Sequence, residues 1–128
     1  MSRDVSWGDV QRGIDAYGNR AATLVTVNAA NAPHVVSALV AVRGERLVVD
    51  VGARTRANLR EHPNLTLMWN PNEDGKYQLI LDGVAEAIGD PDDRDVSTVS
   101  ISVSSGILHR LAGLAPEGPS CIALSEAT

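Results

Sequence analysis

The sequence predicts a mainly β fold with short helices, in which five or six antiparallel strands form a small closed or partly open barrel. Apolar residues make up 44% of the 128 residues, yet Phe is absent and aromatics reach only 3%, so Val, Ala, Leu and Ile must build the interior. β-branched side chains of that kind favour strands. The apolar runs have strand length and are separated by short turns rich in Gly, Asn and Pro. Connections that short join antiparallel neighbours, because parallel neighbours need a crossover of a dozen residues or more. The length fits one domain, residues 1–128, burying roughly two thirds of its unfolded surface.

Trp7, Val10, Ile14 and Tyr17 fall at helical spacing behind Ser6, a capping residue, so a short amphipathic helix precedes the sheet and ends at Gly18-Asn19. Strands follow over 22–27 and 34–42, with the turn Asn28 to Pro33 between them, and Arg43-Gly44-Glu45-Arg46 turns the chain into a third strand, 47–51. Gly52-Ala53-Arg54-Thr55-Arg56-Ala57-Asn58-Leu59 opens a short helix that His62-Pro63 stops, since proline disfavours an α conformation in the residue before it. A fourth strand, 64–69, a polar loop, Asn70 to Gly75, and a long fifth strand, 77–88, come next.

Asp90-Pro91-Asp92-Asp93 is a helix-start pattern, and Val96, Val99, Val103, Ile107, Leu111 and Leu114 recur every three or four residues, so 96–114 is read as a helix. Against it, Val99, Ile101 and Val103 alternate as in a strand. Pro116-Glu117-Gly118-Pro119 is a turn, and 121–124 a last strand. A barrel this small is filled by its own side chains, so a ligand must lie in an outer groove or at a subunit interface.

The formal net charge of -5 repels a polyanion, and the one dense basic cluster, Arg54, Arg56 and Arg60, suits a small anion rather than a duplex, so nucleic acid is not expected as a partner. No run is apolar for the roughly 18 residues a membrane-spanning helix needs, so no membrane association is expected. Met1 to Ser6 lacks the apolar core of a secretion signal and Cys121 has no internal disulfide partner, so the expected location is cytoplasmic.

The sharpest candidate site runs from the third strand into the helix. Gly52 and Ala53 let backbone approach a ligand, Arg54 and Arg56 supply charged donors, Thr55 adds a hydroxyl, and the helix start offers unpaired N–H groups: together, a seat for a phosphate. The alternative is a solvated, arginine-rich helix start without a ligand. His34, His62 and His109 lack metal-ligand spacing and are read as structural or surface groups, and Cys121 as a buried inert thiol. Ser104, Ser105 and Ser120 lack a nucleophile-elbow context, so no catalytic side chain and no metal are expected.

Ala32-Pro33-His34-Val35-Val36, Leu47 to Val51, Ala57-Asn58-Leu59-Arg60-Glu61-His62-Pro63-Asn64-Leu65-Thr66-Leu67 and Gly83-Val84-Ala85-Glu86 occur in this order within 22–86. In that order they resemble the pyridoxamine 5'-phosphate oxidase-like, FMN-binding split-barrel superfamily, which also contains deazaflavin (F420)-dependent reductases. The resemblance implies a six-stranded antiparallel split β-barrel, homodimeric, with F420 or FMN held across the dimer seam.

The family's phosphate-binding lysine falls on Thr55 and its frequent serine on Ala53, so Arg54, Arg56 and Thr55 would hold the phosphate instead. By the same resemblance Val36, Ser37 and Ala38 line the ring, Gln78 matches a cofactor-contacting glutamine, and Trp69 an apolar position near the partner's pocket; Val51, Gly52 and Asn58 complete the expected set. The implied function is an oxidoreductase passing a hydride between F420 or FMN and a small conjugated substrate. The chain is short and shows no match to the C-terminal arginine and tryptophan pattern of true pyridoxamine phosphate oxidases, which argues against that substrate, and its arginine-rich composition, like that of organisms that make F420, leans toward F420. The alternative is a non-catalytic protein of the same fold that binds flavin, haem or another ligand.

Overall fold

The computed structural model describes residues 3–72, 75–89, 97–111 and 118–126. Helix α1, Trp7–Tyr17, begins with a reciprocal cap: the Ser6 hydroxyl accepts from the Asp9 N–H at 3.1 Å while the Asp9 carboxylate accepts from the Ser6 N–H at 3.0 Å. Its buried face, Val10, Gly13 and Ile14, lies against the sheet, and a Cβ at Gly13 would stand 3.2 Å from Leu79.

Among the described residues eight strands form one antiparallel sheet: β1 (Ala22–Val27), β2 (Pro33–Ala38), β3 (Val40–Arg43), β4 (Arg46–Asp50), β5 (Asn64–Trp69), β6 (Tyr77–Ile88), β7 (Thr98–Arg110) and β8 (Cys121–Ala123). The order across it is β2-β1-β5-β6-β7-β4-β3, with β8 on β7. The two end strands, β2 and β3, are consecutive in the chain and separated only by Leu39. A sheet whose opposite ends are joined by one residue has to curl, and this curl makes the split barrel.

The turns follow their sequences. The Asn28 side chain accepts from the Ala30 and Ala32 N–H groups, Asn31 takes a positive φ of 62°, and Gly44 does the same (62°) between the paired Arg43 and Arg46. The inner face of the sheet carries Leu24, Leu47, Val49, Leu67, Trp69, Leu79, Leu81, Val99 and Ile101, all buried. Helix α2, Ala53–Glu61, packs Leu59 onto this core next to β1 and β6. It stops at His62, before Pro63, as the sequence requires.

Two expectations are corrected. The stretch read as a helix is β7 over 98–110: Val99 and Ile101 point into the core while Ser100 and Ser102 alternate outward. β6 pairs along one side of β7, and β4 and β8 pair along the other, so the strand satisfies its backbone across three neighbours. The pairing of β6 with β7 carries register shifts between Asp82 and Gly83, where Ser104 of β7 is the extra residue, and between Ala85 and Ala87.

The single strand read over 34–42 is instead β2 and β3, because its two halves pair with β1 and β4 at opposite ends of the sheet. Those two changes raise the strand number from six to eight. The expected start at Asp90 to Asp93, and the ends of that helix at Val96 and Leu114, lie outside the described residues. So do Pro116 and Glu117 of the expected turn, of which Gly118 shows a positive φ of 84°.

Candidate functional site: the hollow at the start of α2

Where β4 runs out into α2, the chain faces β2 across a hollow of about 420 Å3. β2 contributes His34, Val36 and Ser37; the end of β4 and the turn contribute Asp50, Val51 and Gly52; the first turn of α2 contributes Ala53, Arg54 and Thr55. The first bond of the helix is Arg56 N–H to the Gly52 carbonyl, at 3.1 Å. The N–H groups of Ala53, Arg54 and Thr55 therefore have no acceptor within α2, and Gly52 supplies no side-chain cap. A Cβ built on Gly52 would meet nothing within 4 Å. Backbone donors with the partial positive charge of a helix start, an open approach and the exposed Arg54 guanidinium suit an anionic group.

Seven of the expected residues meet here: Val36, Ser37, Val51, Gly52, Ala53, Arg54 and Thr55. The others stand elsewhere. Arg56 is buried (3% exposed), and its guanidinium donates to the Val51 carbonyl at 2.5 Å, tying the end of β4 to the helix from behind. Asn58, also buried, donates through Nδ2 to Thr26 Oγ1 at 3.2 Å. The Trp69 indole sits in the core and donates to the Arg20 carbonyl at 3.2 Å. Ala38 is buried at the end of β2, and Gln78 Nε2 approaches Asn70 Oδ1 and Met68 Sδ, both at 3.4 Å.

Two residues were missed. His34 shares a face of β2 with Val36, two places on, which is the strand signal that could have found it. Asp50 closes the rim, its carboxylate accepting from the Thr98 hydroxyl at 2.9 Å; residues so far apart in sequence meet only through the pairing of β4 with β7. Asp50 and Arg54 thus line the same hollow.

A larger cavity, about 570 Å3, opens beside α1 between Gly13, Ala16, Tyr17, Leu108 and Leu124. Its mouth carries Arg12, whose guanidinium is already held by Asp9, and Asp15, so it offers no comparable set of donors. Among the described residues no three His, Cys, Asp or Glu side chains converge, and no helix is long and apolar enough to cross a membrane.

The comparisons with known proteins agree with this architecture. Residues 15–110 match the Pyridoxamine 5'-phosphate oxidase family. An uncharacterized protein of Mycobacterium bovis, Mb0449c, is 36% identical over 108 residues, covering 77% of this chain and 75% of its own length. Among solved structures, an F420 reductase superposes with a TM-score of 0.53 at 17% identity, over 71% of this chain and 91% of its own. A haem-binding protein from Mycobacterium smegmatis reaches a TM-score of 0.63 at 18% identity, over 98% of this chain and 60% of its own. At those identities the structural likeness speaks for the fold alone. With three quarters of its length matched and its strands in the order that the fold demands, the chain belongs to the pyridoxamine 5'-phosphate oxidase family.

Proposed function

We propose that this chain is one subunit of a homodimeric oxidoreductase that binds F420 or FMN in the hollow at the start of α2 and acts on a small conjugated substrate. The observation that carries the proposal is the meeting of three unspent helix N–H groups, the uncrowded Gly52 and the Arg54 guanidinium in one hollow beside β2. Arg54 and the amides of Ala53 to Thr55 would hold the cofactor's phosphate, while Val36 and Ser37 would line one side of its ring. A bound deazaflavin or flavin supplies the hydride chemistry, so the protein's task is position and electrostatics.

Between the two cofactors F420 is favoured by the arginine-rich composition of the chain and by its lack of the C-terminal arginine and tryptophan pattern of true pyridoxamine phosphate oxidases. The second copy is supported by apolar surface on the segment that walls the hollow: Val35, Leu39 and Val42 are 59%, 71% and 38% exposed. The haem-binding structural relative supplies a second reading, a non-catalytic binder of the same fold.

The test is a spectroscopic titration with F420, FMN and haem, followed by turnover of reduced cofactor with quinones and enones. Binding of F420 tighter than FMN, with turnover, is expected. Haem binding alone would establish the second reading, and binding of none of the three would overturn both.

A further inference from the structure

His34 differs from the other polar side chains of the hollow. It lies on β2 opposite Thr26 of β1, half-buried, with its ring against the same space as Arg54 and Thr55. Its Nδ1 is sealed from water and has no hydrogen-bond partner. The neighbouring Thr26 hydroxyl is engaged by Asn58 Nδ2 at 3.2 Å. A neutral imidazole carries one proton and must place it on one of two nitrogens. A buried N–H with nothing to donate to is harder to sustain than a buried lone pair, so the sealed nitrogen is the bare one.

We infer that His34 is a fixed Nε2–H donor into the hollow, selecting ligands that present an acceptor oxygen or ring nitrogen there while their anionic group sits at the start of α2. The inference rests on the cofactor reading and adds a specificity residue to it. Arg54 and the helix amides recognise charge and accept almost any small anion. A neutral donor on the facing strand recognises where the ligand's acceptor lies, so the two walls read different parts of one molecule. An analogue lacking that acceptor would leave the His34 N–H unmade when the hollow closes over it, and would be rejected.

Two measurements test it. The first is the ring-nitrogen NMR spectrum of the free, full-length protein labelled at histidine, with the His34 signals identified by their loss in His34→Gln. A protonated Nε2 and a bare Nδ1 are expected; a proton on Nδ1 overturns the inference. The second is the F420 and FMN titration repeated on His34→Phe and His34→Gln. Phe keeps the ring shape without the donor and should weaken binding about tenfold, while Gln, whose amide nitrogen can stand near the place of Nε2, should regain most of it. A Phe variant that binds like the wild type overturns the donor role even if the cofactor reading holds. If the wild type binds neither cofactor, the cofactor reading fails, and the spectrum of the free protein decides the donor assignment alone.

Discussion

Arg54 and Arg56 sit two positions apart, and the sequence gives no reason to treat them differently. The fold separates them: on α2 their side chains leave the helix about 200° apart, so one faces the hollow while the other goes into the protein and holds the Val51 carbonyl. Arg54→Ala should therefore lower cofactor affinity about tenfold, about 1.4 kcal/mol and just under the 1.5 to 3 kcal/mol of a charged hydrogen bond because the group is exposed, and leave the melting temperature unchanged. Arg56→Ala should do the reverse first, losing on the order of 1 to 3 kcal/mol of stability as the Val51 carbonyl loses its donor. Parallel thermal melts and cofactor titrations of the two variants check this, and identical profiles would show that the two arginines do the same work. Gly52→Ala offers a complementary test. Its φ of -72° suits alanine and nothing lies within 4 Å of the new Cβ, so stability should hold or rise by a few tenths of a kcal/mol while the ligand seat is obstructed. A titration of Gly52→Ala that matched the wild type would move the ligand away from this turn.

At the scale of elements, what the sequence revealed depended on whether a segment's signal was local. α1, β1, β5 and β6 were legible residue for residue because each has its period and its stops within its own span. The cap at Ser6 is local in the same way, and it makes stability depend on pH. The Asp9 carboxyl is held below its ordinary value of 3.8, mainly by the Ser6 N–H it accepts from, helped by the Ser6 hydroxyl and Arg12 and opposed by burial. A carboxyl whose folded value lies below its unfolded one stabilises the fold above pH 3.8, and that contribution fades as the pH falls through the lowered value. Melts of wild type and Asp9→Asn should thus differ near neutrality and converge in acid; a constant gap would exclude the linkage. β7 was misread because its identity is non-local: Ser, Thr, Val and Ile in both periods are settled only by β6 on one side and β4 and β8 on the other. The same pairing explains Gly83, where a Cβ would stand 2.7 Å from Ile101 Cγ2 and 2.9 Å from the Ser102 carbonyl. The crowding includes backbone, so Gly83→Ala should cost about 1 to 3 kcal/mol in a denaturant titration, and a silent substitution would mean that the two strands can part at the register shift without penalty.

At the scale of the whole molecule, closure and site are one feature. The segment 33–43 supplies both ends of the sheet, so the strand that completes the barrel on one side of Leu39 is also the wall of the hollow. The sequence showed the ingredients of that wall, Val36, Ser37 and the Gly52 to Thr55 turn, but not His34 or Asp50, which enter only once β2 faces α2 and β4 lies against β7. The same segment leaves Val35, Leu39 and Val42 in water, apolar surface that the proposed second copy would cover. If a second copy covers them, burying that surface and completing the ligand seat are a single event, and cofactor affinity is linked to association. Leu39→Glu puts a charge at the most exposed of the three without touching the core. It should move the protein from dimer toward monomer in light scattering, make its melting temperature insensitive to concentration, and weaken cofactor binding although no residue of the hollow has changed. A variant that stays dimeric would place the interface on another face of the sheet. A variant that becomes monomeric yet binds cofactor as before would show that the hollow of one chain is sufficient.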